Sequence, residues 1–198
     1  GTNSSGGGVY TLGGRMTMVN CLVTTNYVVT AGQGYGMVFD GGTNLVQNCT
    51  IVSNFGGGVF STNSAVVMLK DSIVWYHPDD LVNFPTNAQG TLTNVFYSDI
   101  GNGDNAGTNG CISSDPLFVD NVYYHLKSRG QCYTGGYFSG GYWTNDTVNS
   151  PSMDAGDPLS DYAREPVPNG HRVNMGAYGN SAVASQPLIF KGSIFSFQ

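Results

Sequence analysis

The chain has 198 residues, of which 10% are charged and 40% hydrophobic, with 29 Gly, 19 Asn and a formal net charge of −6. Enough apolar side chains are present to build a core, which excludes a disordered chain. The seven basic residues (Arg15, Lys70, Lys127, Arg129, Arg164, Arg172 and Lys191) are scattered, which excludes the clustered basic surface that nucleic acid requires.

Many Gly and Asn in a foldable chain read as tight-turn residues, because both take left-handed backbone angles at little cost. Three segments start the repeat: Gly6-Gly7-Gly8-Val9-Tyr10, Gly34-Tyr35-Gly36-Met37-Val38-Phe39 and Gly56-Gly57-Gly58-Val59-Phe60. About ten residues later a second motif returns, as Val19-Asn20-Cys21-Leu22-Val23, Gln47-Asn48-Cys49-Thr50-Ile51 and Lys70-Asp71-Ser72-Ile73-Val74, with a weaker copy at Thr93-Asn94-Val95-Phe96-Tyr97. Asn26, Asn54 and His77 mark a further recurring turn site. Such a unit is too small to bury its own apolar face and must stack on its neighbours. The expectation is a short parallel solenoid of about four coils over residues 1–100. In it Tyr10, Phe39 and Phe60 form an aromatic column, and Asn20, Asn48 and Asp71 form a polar ladder.

Residues 101–185 read as a final coil and a loop-rich closing cap, and residues 186–198 as an apolar, strand-like tail. The closing region carries Asp115-Pro116-Leu117-Phe118-Val119-Asp120, Tyr124-His125-Leu126-Lys127-Ser128, Ser150-Pro151-Ser152-Met153-Asp154-Ala155-Gly156-Asp157-Pro158 and Val173-Asn174-Met175-Gly176-Ala177-Tyr178-Gly179. With the Gly-rich coils, that succession resembles bacterial right-handed parallel β-helix proteins with a "choice-of-anchor Q" C-terminal region. The resemblance implies an all-β, right-handed solenoid, export to the cell surface or the extracellular space of a bacterium, and seldom any assigned chemistry. Some β-helix relatives degrade polysaccharides. Residues 131–143 and the tail from Pro187 depart from the family pattern.

No run approaches the roughly 20 apolar residues that span a bilayer. The sequence begins at Gly1 without a signal peptide, as expected of a processed product or a piece of a longer one. Four cysteines without a CxxC pair argue against zinc. Cys21 and Cys49 read as small core residues, whereas Cys111 and Cys132, in loop-like sequence, are the better candidates for a bridge.

Four clusters are candidate sites. His77, Asp79 and Asp80, with Lys70 from a neighbouring coil, are the closest approach to a lyase-like set of base and acid; turn chemistry is the competing account. Asp99 and Asp104, in an acidic Gly/Asn loop, are weak calcium candidates, since calcium needs six to eight oxygens and the spacing matches no calcium repeat. No other cofactor is expected. Asp154, Asp157 and Asp161 are read as turn and ion-pair residues beside Arg164, Glu165 and Arg172. Tyr133, Tyr137, Tyr142 and Trp143, with Phe138, are candidates for stacking on sugar rings.

The tail residues Leu188, Phe190, Ile194, Phe195 and Phe197 are candidates for assembly. A solenoid needs both ends covered, and the first coil begins with no capping segment before it. The leading expectation is therefore a structural or surface module that joins copies of itself, or further coils of a longer chain, into a filament. The alternative is a carbohydrate-binding or polysaccharide-degrading protein.

Overall fold

The computed structural model describes residues 6–27, 34–89 and 92–188. Its core is a parallel β-solenoid of about three turns, and no helix occurs among the described residues. The first turn holds β1 (Gly6–Leu12), β2 (Arg15–Val19) and β3 (Leu22–Thr24). The second holds β4 (Tyr35–Asp40), β5 (Thr43–Gln47) and β6 (Thr50–Val52). The third holds β7 (Gly57–Thr62), β8 (Val66–Lys70) and β9 (Ile73–Trp75). A last, abbreviated turn contributes two-residue strands: β10 (Leu81–Val82), β11 (Val95–Phe96) and β12 (Asp99–Ile100). Three sheets result, ordered β1-β4-β7-β10, β2-β5-β8-β11 and β3-β6-β9-β12, each pairing parallel.

Register turns the repeat into a core. Val9, Met37, Val59 and Leu81 stack in the first sheet. Met18, Val46, Leu69 and Val95 stack in the second, and Val23, Ile51, Val74 and Ile100 in the third. All belong to, or pack on, one apolar cluster. The corner after the second sheet needs a left-handed residue, and Asn20, Asn48 and Asp71 supply it at φ of 53°, 46° and 51°. Asn and Asp tolerate that region better than other side chains. The ladder expected from the repeat is thus a row of corners.

The expected aromatic column is corrected by the register. Tyr10, Val38 and Phe60 are in register, and so are Thr11, Phe39 and Ser61. Phe39 points inward and is fully buried, while Tyr10 is largely exposed. Matching aromatic to aromatic shifted this turn by one residue, and a one-residue slip moves a side chain to the opposite face. The residue that sets the register is glycine. A Cβ on Gly36 would lie 2.6 Å from the Asn54 amide nitrogen, and one on Gly58 would lie 2.4 Å from the Asp80 carbonyl. Outside, Tyr35 stacks on Phe60 with centroids 5.0 Å apart.

The two ends of the solenoid differ. At the far end Phe84, Leu92 and Cys111 enter the core, and Ile112 extends the third sheet by bridging to Asp99. At the near end β1, β2 and β3 each have a partner on one side only, among the described residues. The closing segment, residues 113–186, lies along the outer face of the third sheet instead of forming a simple cap. Phe118, Tyr124, Leu126 and Met175 cover Val52 and Ile73. A hairpin of β13 (Cys132–Thr134) and β14 (Tyr142–Thr144) projects from this segment. All four cysteines are free thiols. Cys111 and Cys132, placed by sequence in loops, are both buried.

Candidate functional site

Each corner of the Asn20-Asn48-Asp71 row grips the closing segment. Asn20 donates its amide to the carbonyls of Ala177 and Gly179, at 2.8 and 2.7 Å. Asn48 donates to the Asn174 carbonyl at 3.2 Å. Asp71 is fully buried and accepts from the Asp157 backbone N–H at 2.6 Å, the Ser160 hydroxyl at 2.5 Å and the Gln47 amide at 3.1 Å. Thr50 accepts from the Ala177 N–H, and Ser152 bonds Asp99 on the last turn. The strap thereby touches every turn from first to last. The repeat itself announces the row of corners, but no sequence signal announces its distant partners.

The His77 cluster is a second polar ladder. Asn26 donates its side-chain amide to the Asn54 oxygen at 2.9 Å, and Asn54 donates both to the Val23 carbonyl and to Nε2 of His77. His77 Nε2 therefore accepts, so its proton sits on Nδ1 and is donated to Asp80 at 2.7 Å. Asp80 in turn accepts from the Asn102 N–H at 2.7 Å. The His77 side chain is fully buried and Asp80 nearly so. Asp79 lies outside, accepting from the Asn102 amide. A cleft of about 220 Å³ opens beside this ladder, lined by Trp75, Tyr76, His77, Asp80, Gly101 and Asn102. Lys70 does not reach it. Lys70 ends β8, on the far side of β9 from His77, and pairs with Asp157 at 2.8 Å. The base and the cation are thus not brought together.

The carboxylates are dispersed. Asp99 is fully buried, takes a bond from the Ser114 N–H, and is pushed up to about 6 by burial. Asp104 lies on a surface turn with Asn102 and is raised by partial burial. Among the described residues no three His, Cys, Asp or Glu side chains converge to hold a metal. Asp157 is pushed up by partial burial but held below the usual range overall by Lys70. Asp161 takes bonds from the Ala163 N–H and the Asn180 amide. Asp154 takes one from the Gly170 N–H and is raised by burial. Arg172 bonds the Ala155 and Gly156 carbonyls and lies over the Tyr97 ring, instead of pairing with a carboxylate. Glu165, which the sequence places only as a neighbour of that cluster, is buried, accepts from the Asn174 and Asn180 N–H groups through one oxygen, and is raised by burial to about 7.

The aromatic segment divides into inner and outer rings. Tyr133 is buried against Ala177, Tyr178 and Val183, and its hydroxyl accepts from the Gly141 N–H. His125 stacks on Tyr178 with centroids 3.6 Å apart. Tyr137, Phe138, Tyr142 and Trp143 remain exposed. Tyr142 and Trp143 are adjacent on β14, so their rings face opposite sides of the hairpin. Trp143 leans edge-on against Tyr133 at 5.4 Å, and Tyr137 against Tyr123 at 4.8 Å.

The open end is the remaining candidate. Met16 and Met18 occupy the inward positions of β2 but are only half-buried, whereas Val46 and Leu69, in register with Met18, are fully buried. Val9, Met18, Cys21 and Leu22 line a shallow groove of about 400 Å³ across this end. Of the tail candidates, Leu188 is exposed at the edge of a cleft with Val167 and Pro168. Phe190, Ile194, Phe195 and Phe197 lie outside the described residues. The chain matches no family model, no curated protein and no solved structure.

Proposed function

We propose that this chain is an extracellular structural β-solenoid module of a bacterial surface, in which the open end takes up a further rung from a second copy, so that copies add head to tail. One observation carries the reading: Val9 and Met18 on the first turn are half-exposed while their register partners in the later turns are sealed, beside three strand edges that have no partner among the described residues. Unpaired edges and exposed core are a template for strand addition. A head-to-tail contact of this kind does not close, and it grows a filament. Because Phe84, Leu92, Cys111 and Ile112 cover the far end, the segment we assign to the next copy is the apolar tail that follows Gln186. The surface location follows the resemblance of the closing segment to the choice-of-anchor Q region.

Sedimentation velocity and electron microscopy of the purified chain across a concentration series test this. Growing linear particles are expected, and they should be lost in Met18→Lys and in a chain ending at Ser185. A monodisperse monomer at every concentration removes the reading.

A second reading, carbohydrate contact, is favoured by the exposed rings of Tyr137, Phe138, Tyr142 and Trp143, since exposed aromatics supply flat apolar surface for sugar rings. Binding on a glycan array that disappears in Tyr142→Ala or Trp143→Ala supports it. Unchanged binding in those variants rejects it.

A further inference from the structure

A third ladder runs beside the corner residues. Cys21, Cys49, Ser72 and Ser98 occupy equivalent places, each one residue before its strand's first pairing position. Each side chain reaches the carbonyl two residues behind it. Cys21 Sγ contacts Val19 O at 3.3 Å and Cys49 Sγ contacts Gln47 O at 3.2 Å. Ser72 Oγ donates to Lys70 O at 2.7 Å and Ser98 Oγ to Phe96 O at 2.9 Å. Between serine rungs the ladder is cross-linked: the Ser72 N–H donates to Ser98 Oγ, and the Cys49 N–H to Ser72 Oγ. The two thiols hold the matching places in the first two turns. Val19 and Gln47 are in register, Leu22 and Thr50 are in register, and the Thr50 N–H donates to the Cys21 carbonyl at 2.9 Å.

The structure therefore assigns Cys21 and Cys49 as a dithiol pair that forms a reversible disulfide, stapling the exposed first turn to the second. Neighbouring rungs of a parallel sheet lie about 4.8 Å apart, inside the roughly 4.4–6.8 Å range of Cα separations that a disulfide spans. The two groups differ in access. Cys49 is fully buried, whereas Cys21 is half-exposed and lines the groove at the open end. The chemistry divides the same way: the hydrogen bond from Cys49 holds the Cys21 thiol down, to about 6, while Cys49 is raised. Cys21 is thus the attacking thiolate.

With glutathione disulfide as oxidant, the Cys21 thiolate attacks one glutathione sulfur, breaks its S–S bond and expels one glutathione thiolate. Cys49, losing its proton to solvent, then attacks the Cys21 sulfur of the mixed disulfide and expels the second. One protein S–S bond forms, the two cysteines are oxidised, and glutathione disulfide is reduced to two glutathione molecules. Cys111 and Cys132 stay thiols, because both are buried and raised by burial.

The test uses the whole chain in dilute solution with reduced or oxidised glutathione. Native mass spectrometry should show loss of two hydrogens. Peptide mapping should find a Cys21–Cys49 cross-link, and free thiols titrated after unfolding should fall from four to two, reversibly with dithiothreitol. The closed loop of about 28 residues should raise the thermal midpoint by about 5–10 °C. Cys21→Ser and Cys49→Ser should each abolish the cross-link and the shift. Both should fold, since serine already fills the same position in the next two turns. Four surviving thiols, a glutathione adduct that persists on Cys21, or a cross-link involving Cys111 or Cys132 overturns the assignment.

Discussion

Asp71 and Ser160, 89 residues apart in the chain, meet in a buried hydrogen bond of 2.5 Å. This contact joins a corner of the third turn to the strap that runs along the solenoid. The same carboxylate also takes the Asp157 N–H and the Gln47 amide.

Asp71→Ala is therefore expected to leave several buried donors unpaired and to cost about 3 kcal/mol, against about 1 kcal/mol for Ser160→Ala. Urea denaturation of both single variants and the double variant checks this. The pair should show a coupling of at least about 0.5 kcal/mol. Strict additivity would mean that the strap is not held here.

Gly36→Ala and Gly58→Ala should each cost about 1–3 kcal/mol, because the added methyl meets the Asn54 amide in one case and the Asp80 backbone in the other. The thermal midpoint of each variant is the measurement. Gly103→Ala should cost less, about 1 kcal/mol from its φ of 90°, since nothing lies within 4 Å of the new methyl.

The open end makes its own prediction. Met18 and Leu69 belong to one column, yet only Leu69 is fully buried. Leu69→Ala should cost about 3 kcal/mol and Met18→Ala about 1 kcal/mol in dilute solution. If a second copy covers this end, the cost of Met18→Ala should grow with protein concentration, as denaturation midpoints across a dilution series would show.

Asp99 and Glu165 predict a pH dependence. Burial raises Asp99 from 3.8 to about 6 and Glu165 from 4.5 to about 7. The folded chain thus retains protons that the unfolded chain releases. The stabilisation from each group is full below about pH 4 and is lost as pH rises through 6–7. His125 acts oppositely: burial lowers it from 6.5, so its share is lost as pH falls below that value. A comparison of variants with the parent at matched pH separates these effects. From pH 4 to pH 8, Asp99→Asn and Glu165→Gln should each gain on the parent by about 2 kcal/mol. A constant gap between variant and parent would show that neither carboxyl is protonated in the folded state.

The architecture was legible because a solenoid writes its period into the sequence. Asn20, Asn48 and Asp71 mark successive corners, and the apolar residues between them recur at inward positions. The aromatic column fails because Phe39 resembles Tyr10 and Phe60 in type but not in phase, and Gly36 is held to its place by clearance from Ile51 and Asn54, which lie outside its own sheet. The candidate sites were less legible for a related reason. His77 and Lys70 are close in sequence, but β9 separates them: His77 stacks on Asn54 as the recurring turn site indicates, whereas Lys70 finds Asp157, a partner nothing in the repeat indicates. Tyr133 and Trp143 look alike in a run of aromatics, yet only the fold decides that Tyr133 turns inward.

The strap along the third sheet changes how the molecule comes apart. Stacked repeats that touch only their neighbours fray turn by turn from either end. Here Asn20 on the first turn and Asp99 on the last are both clasped by residues beyond position 150. The turns are therefore made to melt together. The first described turn gains its clasp only once Ala177 and Gly179 have been synthesised, so until then Asn20 has no carbonyl there to hold it.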